Sequence, residues 1–199
     1  MSRTSLLLCT IIGIALGLTG CAKHTTDTLS STITAQTPVH LTAAQDPDGD
    51  GDDKGYNYFP MTQAATHNKV FIFNPNYDAW AVYDENGNRV NTGKASGGRK
   101  FCPDEQKPCE TLAGTFHVFR MKGADCKSSI YPLKTHGGAP MPYCMFFDPS
   151  GLAIHGSNEL PNYNASHGCV RITPTAAKWL NEHFIQIGTT VIILPYKNG

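Results

Sequence analysis

Short runs of alternating apolar and polar residues fill the chain from residue 69 onward, and they predict strands. "KVFIFN" (69–74) reads as a short apolar strand and "AWAVYD" (79–84) as an alternating one. "ENGN" (85–88) then turns the chain into "RVNTGKA", and Asn86-Gly87 between two strand-like runs is a hairpin signal. "GTFHVFRM" (114–121) reads as one strand, with Phe116, Val118 and Arg120 on one face and Thr115, His117 and Phe119 on the other. "YCMFFD" (143–148) and "GLAIHG" (151–156) are joined by the turn tetrad "DPSG". "TTVIIL" (189–194) supplies a closing strand. Only "TPTAAKWLNEHF" (173–184) carries a helical pattern, with Thr173 as N-cap, Pro174 in the first turn and His183 near the end. The pattern predicts a mostly β domain over 69–196 with one helix near its C-terminal end, not an alternation of βα units.

The N-terminal part has a different texture. Arg3 precedes "LLLCTIIGIALGL" (6–18), an apolar run of 13 residues. A membrane span needs about 20, so residues 1–20 read as a secretory leader. "LTGC" (18–21) resembles the lipobox of bacterial lipoproteins. That resemblance implies cleavage before Cys21, acylation of its thiol, and a membrane held through lipid. Ala22 follows the cysteine, and by resemblance to Gram-negative lipoproteins this implies a periplasmic protein on the outer membrane. Residues 21–68 read as a flexible tether. Its Thr-, Ser- and Ala-rich part has no apolar period, and its acidic part is "DPDGDGDD" (46–53). Asp46, Asp48, Asp50 and Gly51 copy the first half of a calcium loop. The twelfth position is Asn57 instead of a bidentate Glu, so a solvated acidic linker is the preferred reading.

Charge narrows the function classes. The net charge is zero and no basic face stands out, which argues against a nucleic-acid partner. Nineteen Gly and thirteen Pro fit a turn-rich β domain.

Export changes how the cysteines are read. Cys9 leaves with the leader and Cys21 takes lipid, so Cys102, Cys109, Cys126, Cys144 and Cys169 remain. An odd number in an oxidising compartment leaves one unpaired. Local closure favours Cys102–Cys109 and Cys126–Cys144, contributing about 2.5 and 3 kcal/mol on the chain-entropy model. Cys169 is then the free thiol, although spacing alone admits other pairings.

Cys169 sits in the stretch with the most chemistry, "GLAIHGSNELPNYNASHGCVRI" (151–172). A strand delivers His155, a polar loop returns through Ser166, and His167, Gly168 and Cys169 form a tight bend. A free thiol is only a few per cent thiolate at neutral pH, and a neighbouring histidine changes that. A base must itself be oriented, and the backbone carbonyl of Gly156 is placed to hold His155. Consecutive backbone N–H groups at 167–169 suit an oxyanion, and Arg171 suits a carboxylate. His155, His167 and Cys169, with His136, are the residues a zinc site would draw on. However, their spacing matches no common ligand pattern, so no metal and no cofactor is expected.

This stretch resembles the active-site signature of the L,D-transpeptidases: His-Gly at a strand end, a polar loop, then Ser-His-Gly-Cys and Arg. "KVFIFNPNYDAWAVYDENGNRV" resembles that family's opening hairpin, and "TLAGTFHVFR" a strand that usually carries Pro where Leu112-Ala113 stand. The resemblance covers about residues 69–195 and implies a β-sandwich-like catalytic domain. It implies Cys169 as nucleophile on a peptidoglycan stem peptide, His155 as base and Gly156 as its orienting group. His167 and Gly168 would shape the oxyanion hole. Arg171, Ser166 and Tyr143 are assigned to substrate, with Ser166 leaning to a structural role. The implied product is a cross-link or an exchanged terminal residue. A carboxypeptidase using water, and a non-catalytic wall- or host-binding lipoprotein, remain as alternatives. The four extra cysteines depart from the family pattern, and two of them, Cys126 and Cys144, lie in residues 123–144, where the family usually has a lid or substrate loop.

Overall fold

Alternate side chains of the strands pack on opposite faces, and the strands over 79–83, 145–146 and 153–156 are buried on both. The computed structural model describes residues 58–197. The leader, Cys21, the tether up to residue 57 and the acidic segment 46–57 lie outside the described residues. β1 (Val70–Asn74), β2 (Ala79–Tyr83) and β3 (Arg89–Ser96) form an antiparallel meander. β9 (Thr190–Ile193) lies parallel to β1, and β4 (Gly114–His117) pairs with β9. The last two residues of β3 leave β2 and pair with β8 (Val170–Ile172). β7 (Ala153–Gly156), β6 (Met145–Phe146) and β5 (Arg120–Met121) follow, giving the order β4-β9-β1-β2-β3-β8-β7-β6-β5.

One continuous sheet thus supplies both layers of the core. Phe71, Phe73, Trp80, Val82 and Val191 from one half share a cluster with Met145, Ile154, Val170 and Ile172 from the other. Each such fully buried side chain contributes about 1.5–3 kcal/mol of transfer free energy. The opposite faces carry smaller clusters. Val70, Ala79, Ala81 and Tyr83 pack with Phe59, and Cys126, Met141 and Cys144 of the 123–144 loop pack with Phe146 and Ala153.

The helix forms where the pattern predicts it. In α1 (Pro174–Trp179) the Thr173 hydroxyl accepts from the Ala176 N–H at 3.2 Å, and the chain continues as one wider turn over Leu180–Phe184. Ala176, Ala177 and Leu180 face the main core.

Three local features differ from the pattern. The 114–121 run is two strands, because the chain changes partner at Val118. The Val118 N–H bonds Thr189 O, the Phe119 N–H bonds Phe146 O, and β5 continues on β6. Packing begins before Lys69. Phe59 is buried, the Tyr83 hydroxyl donates to Pro60 O at 2.8 Å, and the Gln63 N–H bonds Gly87 O, so residues 59–67 run along the β2–β3 hairpin. Gly87 permits this contact, since at φ +83° a Cβ there would sit 2.2 Å from Gln63 O. β8 is the third feature. It is three residues long, too short to register as a strand pattern.

Candidate active site

β7 and β8 run parallel in a register that pairs Ile154 with Val170 and His155 with Arg171. Alternation then sorts the side chains. Ile154, Val170 and Ile172 enter the main core, while His155, Cys169 and Arg171 line a cleft of about 780 Å³. The roof of the cleft is the ribbon 126–144, closed at its base by Cys126–Cys144 and joined across by the Lys127–Pro140 bridge. Pro132, Leu133, Pro140, Met141 and Pro142 give it an apolar lining. The Gly156 N–H donates to Pro142 O at 2.8 Å, tying the roof to β7.

The His155 tautomer follows from its partner. Nδ1 lies 2.8 Å from the Gly156 carbonyl oxygen. A carbonyl only accepts, so Nδ1 carries the proton and Nε2 keeps its lone pair. Burial lowers the His155 pKa to about 4; the Gly156 bond opposes this, and the Arg171 charge adds to it. Burial pushes the Cys169 thiol up, against the Ala153 backbone bond and Arg171. The resting pair is therefore a neutral thiol and a neutral imidazole. The thiol makes a long contact of 3.9 Å to Gly151 O. Among the described residues Cys169 is the free cysteine, and Cys102–Cys109 and Cys126–Cys144 are disulfides.

The bend before Cys169 is held from inside. The Ser166 hydroxyl donates to Cys169 O at 2.6 Å and accepts from the Gly168 N–H at 3.0 Å. Gly168 is at φ +116°, and a Cβ there would meet the Leu152 side chain at 2.8 Å. Ser166 N–H and C=O bond Gly97 O and the Arg99 N–H. Arg171 faces the cleft and meets the exposed Glu159 at 3.5 Å. His167 Nε2 lies 2.8 Å from Asp104 Oδ2, and its ring packs on Tyr131 with centroids 4.4 Å apart.

With this geometry, the residue order of 151–172 can be set against known families. The L,D-transpeptidase catalytic-domain (YkuD) model matches residues 68–193. The chain belongs to the L,D-transpeptidase catalytic-domain family. Among solved structures, an L,D-transpeptidase from Xylanimonas cellulosilytica is 27% identical, with a TM-score of 0.56 over 68% of this chain and 64% of that one. An L,D-transpeptidase from Stackebrandtia nassauensis is 21% identical, with a TM-score of 0.55 over 72% and 63%. L,D-transpeptidase 3 from Mycobacterium tuberculosis is 21% identical, with a TM-score of 0.52 over 64% and 61%. The chain spans less than two thirds of the length of these structures. No curated protein matches it.

Within the L,D-transpeptidase domain, several residues lie elsewhere than the sequence reading places them. Ser166 is buried at the lining of the cleft, and its hydroxyl bonds within the bend. Tyr143, at φ +57°, turns away from the cleft lining and packs against the main core. The Gly168 N–H is already bonded, so it does not serve an oxyanion. The possible zinc set is not gathered. Among the described residues the only such cluster is Cys102, Asp104 and His167, and the Cys102 sulfur is held in a disulfide. Asp104 and Tyr131 line the cleft without having been read from the sequence. Their only signal is that each lies between a pair of bonded cysteines.

The His155 environment makes stability depend on pH. An unfolded imidazole titrates near 6.5, whereas the folded one waits until about 4. Between these values the unfolded chain binds the extra proton. The stability is full above pH 6.5 and is lost as pH falls toward 4, by about 3 kcal/mol in all. Melting temperatures at pH 7 and pH 4.5 are expected to separate for the wild type and to draw together in His155→Gln. An equal separation in both would assign the effect to other groups.

Proposed function

We propose that this chain is a cysteine-dependent L,D-transpeptidase acting on peptidoglycan stem peptides. The observation that carries this reading is the His155 tautomer, with a basic Nε2 in the same cleft as the free thiol of Cys169. In the first half-reaction Nε2 takes the thiol proton, and the sulfur attacks the carbonyl carbon of the third stem residue. The oxyanion that forms is met by the backbone N–H groups of Cys169 and His167. The C–N bond then breaks, the leaving D-alanine amine takes the proton from His155, and a thioester remains. In the second half an acceptor amine attacks the thioester and gives its proton to Nε2. The new amide forms and the Cys169 sulfur leaves, recovering its proton. Arg171 holds a stem carboxylate, displacing the exposed Glu159. Two disulfides fit an oxidising compartment. Together with the leader and Cys21, they support an exported protein anchored by lipid at the outer membrane and facing the wall.

Product analysis tests the reading. Incubated with a disaccharide-tetrapeptide, the purified protein is expected to give dimers joined between two third residues, or exchange of the terminal residue for an added D-amino acid. Tripeptide alone would indicate water as acceptor. No product, with wall binding retained, would favour a binding lipoprotein.

A further inference from the structure

The cleft wall beside His167 is not built by the strands that carry Cys169 and His155. Its side chains come from two loops, each closed by its own disulfide. Asp104 and Glu105 lie between Cys102 and Cys109, and Tyr131 lies between Cys126 and Cys144. Asp104 accepts from His167 Nε2 at 2.8 and 3.1 Å. The Tyr131 ring covers the His167 ring at 4.4 Å, and its hydroxyl donates to Glu105 at 2.7 Å. Burial, the Glu105 bond and nearby negative charge raise the Tyr131 pKa, so the phenol stays a donor. The roof is thereby latched to the Cys102–Cys109 loop directly over the bend that leads into Cys169.

We infer that Asp104 and Tyr131 are positioning residues that build the acceptor half of the cleft, where a peptide amine approaches the thioester. This rests on the transpeptidase reading above. Such an enzyme must hold two peptides against one sulfur. Arg171, two residues beyond Cys169 and beside His155, belongs to the half that takes the donor carboxylate. The His167 imidazole is held instead by Asp104 and Tyr131, a set of neighbours separate from the Arg171–Glu159 pair, and is assigned to the half left for the acceptor. Asp104 and Tyr131 fix the imidazole of His167 on two sides, one by its edge and one by its face. Each disulfide thus holds one side of the same wall.

The test separates the two half-reactions. The rate of Cys169 acylation by a carbapenem is measured beside transfer from a disaccharide-tetrapeptide to an amine acceptor at varied concentration. In Asp104→Ala and in Tyr131→Phe the acceptor KM is expected to rise about tenfold, the scale of one lost hydrogen bond to a charged group, while acylation changes by less than about threefold. Glu105→Gln keeps an acceptor for the tyrosine and should stay near wild type, whereas Glu105→Ala should match Tyr131→Phe. The double variant Asp104→Ala/Tyr131→Phe should be less than additive, since both act through one ring. Acylation and transfer falling together, or an unchanged acceptor KM, would overturn the inference. Wild-type protein that acylates but yields tripeptide alone would instead remove the transpeptidase reading, and the inference with it.

Discussion

Cys169→Ala is expected to abolish both turnover and covalent capture of a carbapenem. The drop in rate should reach at least about 10³-fold, as removal of a nucleophile does elsewhere. The mass readout is unambiguous because the other described cysteines are held in Cys102–Cys109 and Cys126–Cys144. Wild-type protein should gain a single adduct that maps to Cys169, and the alanine variant none. Cys169→Ser should be nearly as inactive, since an imidazole whose pKa burial lowers to about 4 is too weak a base for an alcohol. Folding should survive. Cys169 packs on the edge of a cluster formed by Cys126, Met141 and Ala153, and its side chain ends in the open cleft. An adduct that persists in the alanine variant, or Cys169 recovered in a disulfide, would sink the mechanism.

How much of this site could be read from the sequence depends on the range of the interaction involved. His155, Gly156 and Cys169 were legible because their relation is local to one loop between two adjacent strands. The hairpin at 84–88 and the helix at 174–179 were legible because their turn and cap residues lie within them. The packing of Phe59 was not legible, since it depends on a face of β1 and β2 that no pattern in 58–68 announces. The break at Val118 reflects a change of strand partner, which leaves alternation intact and so leaves no trace in the sequence. Ser166 and Tyr143 look like ligands by proximity to the motif. The bond of the Ser166 hydroxyl within the bend and the packing of Tyr143 against the main core leave no trace in the motif. Asp104 reaches His167 across 63 residues of chain, a distance that spacing rules do not cover.

His155→Gln is expected to lower the rate of Cys169 acylation by about 10²–10⁴-fold at neutral pH, the usual worth of a positioned general base. The pH profile carries more information than the magnitude. In the wild type the imidazole stays neutral until about pH 4. Its acid limb should therefore lie well below the 6.5 of a free histidine, leaving the rate nearly level from pH 5.5 to 7 on that account. In the glutamine variant no base remains, and the thiol must ionise by itself. Burial raises the pKa of that thiol. The variant rate should climb with pH through neutrality and beyond, narrowing the gap to wild type as it goes. Glutamine can keep a side-chain donor toward the Gly156 carbonyl, so an effect of this shape separates lost basicity from lost packing. A variant profile parallel to that of the wild type would remove His155 as the proton acceptor. It would leave Arg171, whose charge favours the thiolate, as the source of activation.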